Sequence, residues 1–251
     1  MPSSKPDWPR LIKKAPNVTL AGQLWRMVES QSQVATIELV DSLQEQAILE
    51  QLIEVSKPPR PEGAENLHYL LATPFRYPPL RWGSRFGRRH EPSIFYGSLA
   101  GETVLAETAY YRLLFWYGMA DPPPEQHLIT QHELFSARYR CATGLKLQNK
   151  PFDRHYNIIA HKKQYGMTQV LGTAMRAVEV QGFEFPSARC PNSGINIGLF
   201  TPFALASQRP DQQQRWVCET APKMIRFHGE GRLVEFPWDL FFVGGALPRP
   251  D

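Results

Sequence analysis

Apolar side chains along this sequence fall into stretches of helical and of extended rhythm. From Thr19, LAGQLWRMVES sets Leu20, Leu24, Trp25 and Val28 on one stripe at helical spacing and predicts a helix there. Asp41-Ser42-Leu43-Gln44-Glu45 predicts a second helix, with Ser42 and Glu45 at capping-box spacing. It runs to about Val55 and stops at KPPRP, where Pro58, Pro59 and Pro61 cannot continue it. Residues 1–15 are rich in Pro and Lys and read as irregular. Residues 1–61 therefore read as an N-terminal helical segment, joined at Pro58–Pro61 to a body spanning 62–251. A helical pair this short needs a surface to pack on.

The body alternates strand and helix patterns. SIFYGSL (93–99) predicts a strand, and GETVLAETAYYRLLFWYG predicts a helix ending near Gly118. ELFSARYRCAT (133–143) alternates apolar and polar residues like a half-exposed strand. Val170, Leu171, Ala174 and Val178 predict a helix from Tyr165 to Val180. Short strands follow at 183–190, 195–201, 215–220 and 223–229. The expected class is α+β, with a mixed or antiparallel sheet core and flanking helices.

Composition narrows the picture. Of 251 residues, 42% are hydrophobic and 21% charged, which excludes a disordered or collagen-like chain. The net charge of +4 favours anionic partners without demanding nucleic acid. Three scattered cysteines, Cys141, Cys190 and Cys218, suggest a reducing compartment rather than a disulfide framework. The N-terminus lacks an apolar signal-peptide core, and no run of 18 uncharged apolar residues occurs, so the expectation is a cytoplasmic protein without a membrane span.

The common chemical signatures are missing: no G-x-x-x-x-G-K-[ST], G-x-G-x-x-G, G-x-S-x-G or H-E-x-x-H occurs. The seven histidines show no metal-ligand spacing, so no metal site is expected. What stands out is Arg76-Tyr77-Pro-Pro-Leu-Arg81-Trp-Gly-Ser-Arg85-Phe-Gly-Arg88-Arg89, five arginines in 14 residues interleaved with aromatics. Guanidinium forks suit phosphate and aromatic faces suit bases. The stretch is compatible with a nucleic-acid surface, a cradle for a small phosphorylated ligand, or a solvated basic loop. Arg85, Tyr96 and Glu107 follow one another at intervals of 11 residues, so a strand carrying Tyr96 and a helix carrying Glu107 could converge beside that loop. Glu107 lies in the apolar run AETAYYRLLFWYG, where a carboxylate must be paired or face a polar cleft. A structural Glu–Arg bridge would satisfy the same requirement. Between Arg138 and Arg176 there are eight Lys or Arg and one acid, Asp153, an excess able to concentrate an anionic substrate.

Several ordered motifs, FRYP at 75–78, GSRFG at 83–87, IFYGS at 94–98, LAET at 105–108 and SARCPNSGINIGLFTP at 187–202, resemble those of the RES-domain family. The resemblance covers roughly residues 65–205. It implies an NAD-consuming toxin of a bacterial toxin–antitoxin pair, with a fold similar to ADP-ribosyltransferases. Such a toxin cuts the nicotinamide–ribose bond as an NAD glycohydrolase or phosphorylase. NAD is then a substrate rather than a cofactor, with water or inorganic phosphate as acceptor. The implied partner is an Xre-type DNA-binding antitoxin, through which alone nucleic acid would be met. On the family pattern, Glu107 matches the signature Glu, Arg85 the Arg of a Gly-Arg-aromatic element, and Tyr96 the strand Tyr, an implied catalytic set. Arg76 and Tyr77 match its first Arg-Tyr and Ser187 its signature Ser, implied substrate-binding residues. Gly87 departs from the Asn that many relatives carry after that aromatic. Two alternatives stand beside this reading. One is a protein ADP-ribosyltransferase of the same fold, the other a non-enzymatic nucleic-acid-binding protein using residues 76–89. The stripe in 1–61 could seal the body, form a homodimer or receive the antitoxin.

Overall fold

The computed structural model describes residues 5–30, 40–121 and 123–250; residues 1–4, 31–39, 122 and 251 lie outside the description. Helix α1 spans Trp8–Lys14, with Pro9 in its first turn and Asp7 capping it through the Arg10 N–H. The irregular reading of 1–15 is thereby corrected: Trp8, Leu11 and Ile12 are all buried, and the Trp8 indole donates to the Met167 carbonyl at 2.9 Å.

The larger correction concerns the next segment. Val18–Glu29 is not a helix but strand β1. Leu20, Leu24 and Val28 are spaced by four, an interval that puts them on one face of a helix and on one face of a strand alike. Val18 and Thr19 are β-branched and Gly22 sits mid-segment, which favours the extended form. Partner pairing settles it, since β1 runs antiparallel along the long strand Leu128–Lys146 from Val18↔Gly144 to Glu29↔His132. This part of 1–61 is built into the sheet, with Leu20 and Leu24 in the core.

Helix α2, Leu43–Ser56, starts at the expected Ser42 cap, which accepts from the Glu45 N–H at 3.2 Å. Helix α3, Tyr69–Arg76, buries Leu70, Leu71 and Phe75 and ends before Pro78 and Pro79. Strand β2 is Phe95–Ser98 and helix α4 is Gly101–Trp116. Strand β3, Leu128–Lys146, is the longest; helix α5, Gly166–Arg176, and strands β4, Gly182–Pro186, and β5, Ile195–Leu199, follow. An antiparallel meander of β6, Gln212–Ala221, β7, Met224–Gly229, and β8, Arg232–Pro237, completes the sheet.

The sheet order is β1-β2-β5-β4-β3-β6-β7-β8, and β1 also pairs with β3, so the first five strands in this order close into a ring. Only β3–β4 is parallel among the named pairs, which makes the sheet mixed, with helices around it as expected. A single bridge, Trp25↔Ser98, joins β1 to β2. The ring opens beside that bridge because β2 is only four residues long.

Helix α4 is apolar on most sides because it packs from two directions. Val104, Leu105, Ala109 and Leu113 meet Trp216, Ile225 and Phe227 of the meander. On the other side of the molecule α1 and α5 cover Phe86, Phe183 and Phe185. Gly172 of α5 packs so closely on the chain at Phe86 that an added Cβ would lie 1.7 Å from the Phe86 carbonyl oxygen. That approach seats the segment Ser84–Gly87 against the sheet.

Candidate active site

A cavity of about 720 Å³ lies where β1, β2, α4 and the loop before β2 meet, a size typical of small-ligand sites. Its wall is aromatic, with Trp25, Trp82, Tyr96, Tyr111, Tyr165 and Phe185, and among the described residues its charged groups are Arg26, Arg85, Arg249 and one acid, Glu107.

Strand β2 places Tyr96 under the arginine-rich loop. Its hydroxyl accepts the Phe86 N–H at 3.1 Å and shares a 2.9 Å hydrogen bond with Ser84 Oγ. Burial pushes the phenol up to about 12, so it stays protonated at neutral pH. Gly83, at φ +79°, makes the turn that brings Ser84 and Arg85 inward. Arg85 Nη1 donates to the carbonyls of His161 (2.7 Å) and Ile159 (3.2 Å), and its guanidinium stacks 4.4 Å from the Tyr165 ring centre. The segment 138–176 reaches the cavity through Tyr165, but none of its eight Lys or Arg residues is in the cavity wall.

Glu107 projects from the first half of α4, half-buried. Ser187 Oγ donates to its Oε1 at 2.6 Å and Asn196 Nδ2 donates to the same oxygen at 2.7 Å. No Glu–Arg bridge forms there among the described residues. Arg112, one partner considered for it, pairs with Glu29 at 2.8 Å instead.

Of the residues singled out from sequence, Arg85, Tyr96, Glu107 and Ser187 are brought together. Arg76 and Tyr77 are not. Arg76 closes α3, where its guanidinium pairs with Glu54 of α2 at 2.6 Å and with the Pro58 carbonyl; Tyr77 is 40% exposed, and neither lines the cavity. The second inward cation is Arg26 of β1. Its Nη1 donates to the Tyr96 carbonyl at 2.6 Å, its charge lies 5.3 Å from the Phe95 ring centre, and burial lowers its guanidinium to about 10, still charged near neutrality. Sequence reasoning missed it because it lies in the stretch read as an appended helix. A charged residue at an even position beside Leu20 and Leu24 would have flagged it, had the strand been recognised. Asn196 was missed as well, inside the apolar-looking INIGLF.

The 76–89 stretch is no free basic ribbon. Arg76 and Arg85 are bonded within the fold, and Phe86 is fully buried against Phe183 and Phe185.

Fold and site together define an α+β protein whose cavity, among the described residues, offers three guanidinium groups and one carboxylate, a setting for a phosphate-bearing small molecule. The chain belongs to the RES-domain family, whose domain matches residues 59–219, well over half of its length. Strand β1 with Arg26, and Arg249 near the C-terminus, lie outside that match. Among solved structures the chain is similar to the one described as the crystal structure of the M. tuberculosis MbcT–MbcA toxin–antitoxin complex. The identity is 14%, over 86% of this chain and 92% of that one, with a TM-score of 0.49. No curated protein matches the chain.

Proposed function

We propose that this chain is an NAD-cleaving toxin that breaks the nicotinamide–ribose bond and is held in check by an antitoxin. The observation that carries the reading is that, among the described residues, Glu107 is the lone carboxylate in a cavity otherwise charged by Arg26, Arg85 and Arg249. Ordinary glycosidases use two carboxyl groups, one to protonate the leaving group. In NAD the leaving group is a pyridinium that departs neutral, so one carboxylate suffices. Positive charge develops on the ribose as the bond breaks, and Glu107 is placed to bind a ribose hydroxyl and stabilise that charge. Arg26 and Arg85 sit beside it to face the pyrophosphate, Arg26 taking the place that the family pattern suggested for Arg76. Trp25, Trp82 and Tyr111 offer stacking faces for the two rings of the dinucleotide.

With water as acceptor, NAD and H2O give ADP-ribose, nicotinamide and a proton. With inorganic phosphate, the products are nicotinamide and ADP-ribose carrying phosphate at the anomeric carbon. Incubating the purified chain with NAD, with and without phosphate, and weighing the products separates the two. Labelled protein would point to ADP-ribosyl transfer instead. Unchanged NAD in both arms would overturn the reading.

The antitoxin is proposed to be of Xre type, with an acidic terminus that enters the cavity mouth and pairs with the guanidinium groups meant for pyrophosphate. No helix among the described residues is long and apolar enough to cross a membrane. Action in the cytoplasm, alongside the NAD pool, suits the free thiols of Cys141, Cys190 and Cys218.

A further inference from the structure

We infer that Ser187 and Asn196 are positioning residues which grip the Glu107 carboxylate by one oxygen alone, and that Ser187 does not touch the substrate. This deepens the proposed NAD reaction and rests on it for its catalytic meaning.

A hydroxyl has one proton and two lone pairs. Ser187 Oγ accepts from the N–H of Arg189 at 3.1 Å and from the N–H of Cys190 at 2.9 Å, which uses both lone pairs. Its proton goes to Glu107 Oε1 at 2.6 Å. The hydroxyl is full: it has no donor left for a ribose or phosphate oxygen and no lone pair for nucleophilic attack. Ser187 is also 3% exposed and stands behind Glu107, outside the cavity wall.

Asn196 is fixed by the same logic. Only its NH2 end can face a carboxylate, so the Oδ1 end must accept, and Ser98 Oγ donates to it at 2.6 Å. Ser98 and Asn196 are direct register partners on β2 and β5, both buried. The Ser187 N–H donates to the Gly194 carbonyl at 2.8 Å, continuing the β4–β5 pairing one step past Pro186↔Ile195. The two donors are thus set by strand pairing, independently of α4, and both are spent on Oε1. Oε2 has no protein donor among the described residues. The grip orients the acid and leaves one oxygen for the ribose.

The tests are Ser187→Ala, Ser187→Thr and Asn196→Leu in the full chain, read by kinetics and by crystal structures of the ligand-free proteins. Removal of an orienting partner should lower kcat about 10- to 100-fold, with KM for NAD and the Kd for ADP-ribose within twofold of wild type. Ser187→Thr, which keeps the hydroxyl, should recover most of kcat. In the Ser187→Ala and Asn196→Leu crystals Glu107 should leave its wild-type position. A Ser187→Ala protein whose KM or ADP-ribose Kd rises tenfold at unchanged kcat would make Ser187 a ligand and overturn the inference. So would an unmoved Glu107 in both crystals, or unchanged kinetics in Ser187→Ala. If wild type leaves NAD intact while Glu107 is displaced in both variants, the grip stands and the NAD reading falls.

Discussion

Arg26 Nη1 donates to the main-chain oxygen of Tyr96 at 2.6 Å, and this bond fastens β1 to β2 where only one bridge, Trp25↔Ser98, joins them. The same guanidinium faces the cavity. Arg26→Ala should therefore weaken the ligand's grip more than the fold. Loss of one charged hydrogen-bond donor to pyrophosphate is worth about 1.5–3 kcal/mol, so KM for NAD should rise about 10- to 100-fold. Steady-state kinetics and a melting curve check both halves, and Arg26→Lys should recover only part, since an ammonium lacks the fork.

Arg76 should behave otherwise, despite its place in the family motif. Its partner Glu54 is about half exposed (48%), and a solvent-screened pair of that kind adds little to stability. Arg76→Ala should change the melting temperature only slightly and leave NAD turnover within about twofold. A hundredfold loss of turnover would show that Arg76 reaches the substrate.

Gly172→Ala tests how the loop is seated. A methyl group there would lie 1.7 Å from the Phe86 carbonyl oxygen, and backbone cannot yield as a flexible side chain would. The expected cost is about 1–3 kcal/mol, measurable by denaturant unfolding. Arg85 and Ser84 should shift with the loop, so turnover should fall as well.

His132 supplies a pH dependence. It is buried between β1 and β6, and burial, then the nearby Arg112 charge, lowers its pKa to about 4. The folded-state value lies below the ordinary one near 6.5, so between these two pH values the unfolded chain binds more protons and stability rises with pH. The loss on acidification should approach about 3 kcal/mol by pH 4, and His132→Gln should flatten that part of the curve. Unfolding midpoints taken from pH 4 to pH 7 check it.

Much of the body was legible because its elements carry one rhythm each. Residues 133–143 alternate cleanly, and the helix carrying Glu107 and the strand carrying Tyr96 fall where they were expected. Residues 20–28 defeated pattern reading because a spacing of four satisfies both periods, and only the pairing with β3 decides between them. Strand β8 passed unnoticed since Phe236 alone is deeply buried along it, leaving no alternation to read. At the site, motif order found Glu107, Arg85, Tyr96 and Ser187 but also drew in Arg76, whose neighbour across space, Glu54, no local pattern reveals. Asn196 is polar at one position of an apolar strand, a mismatch that its bond to Glu107 explains.

The most direct measurement is nicotinamide released from NAD by the purified chain, set against that released by Glu107→Gln, which keeps the shape of the side chain and removes its charge. Wild type should liberate one nicotinamide for each NAD lost, and the variant should be slower by about 100-fold or more, as when a group aimed at transition-state charge is removed. Equal rates in the two proteins, or no release by the wild type, would contradict the account.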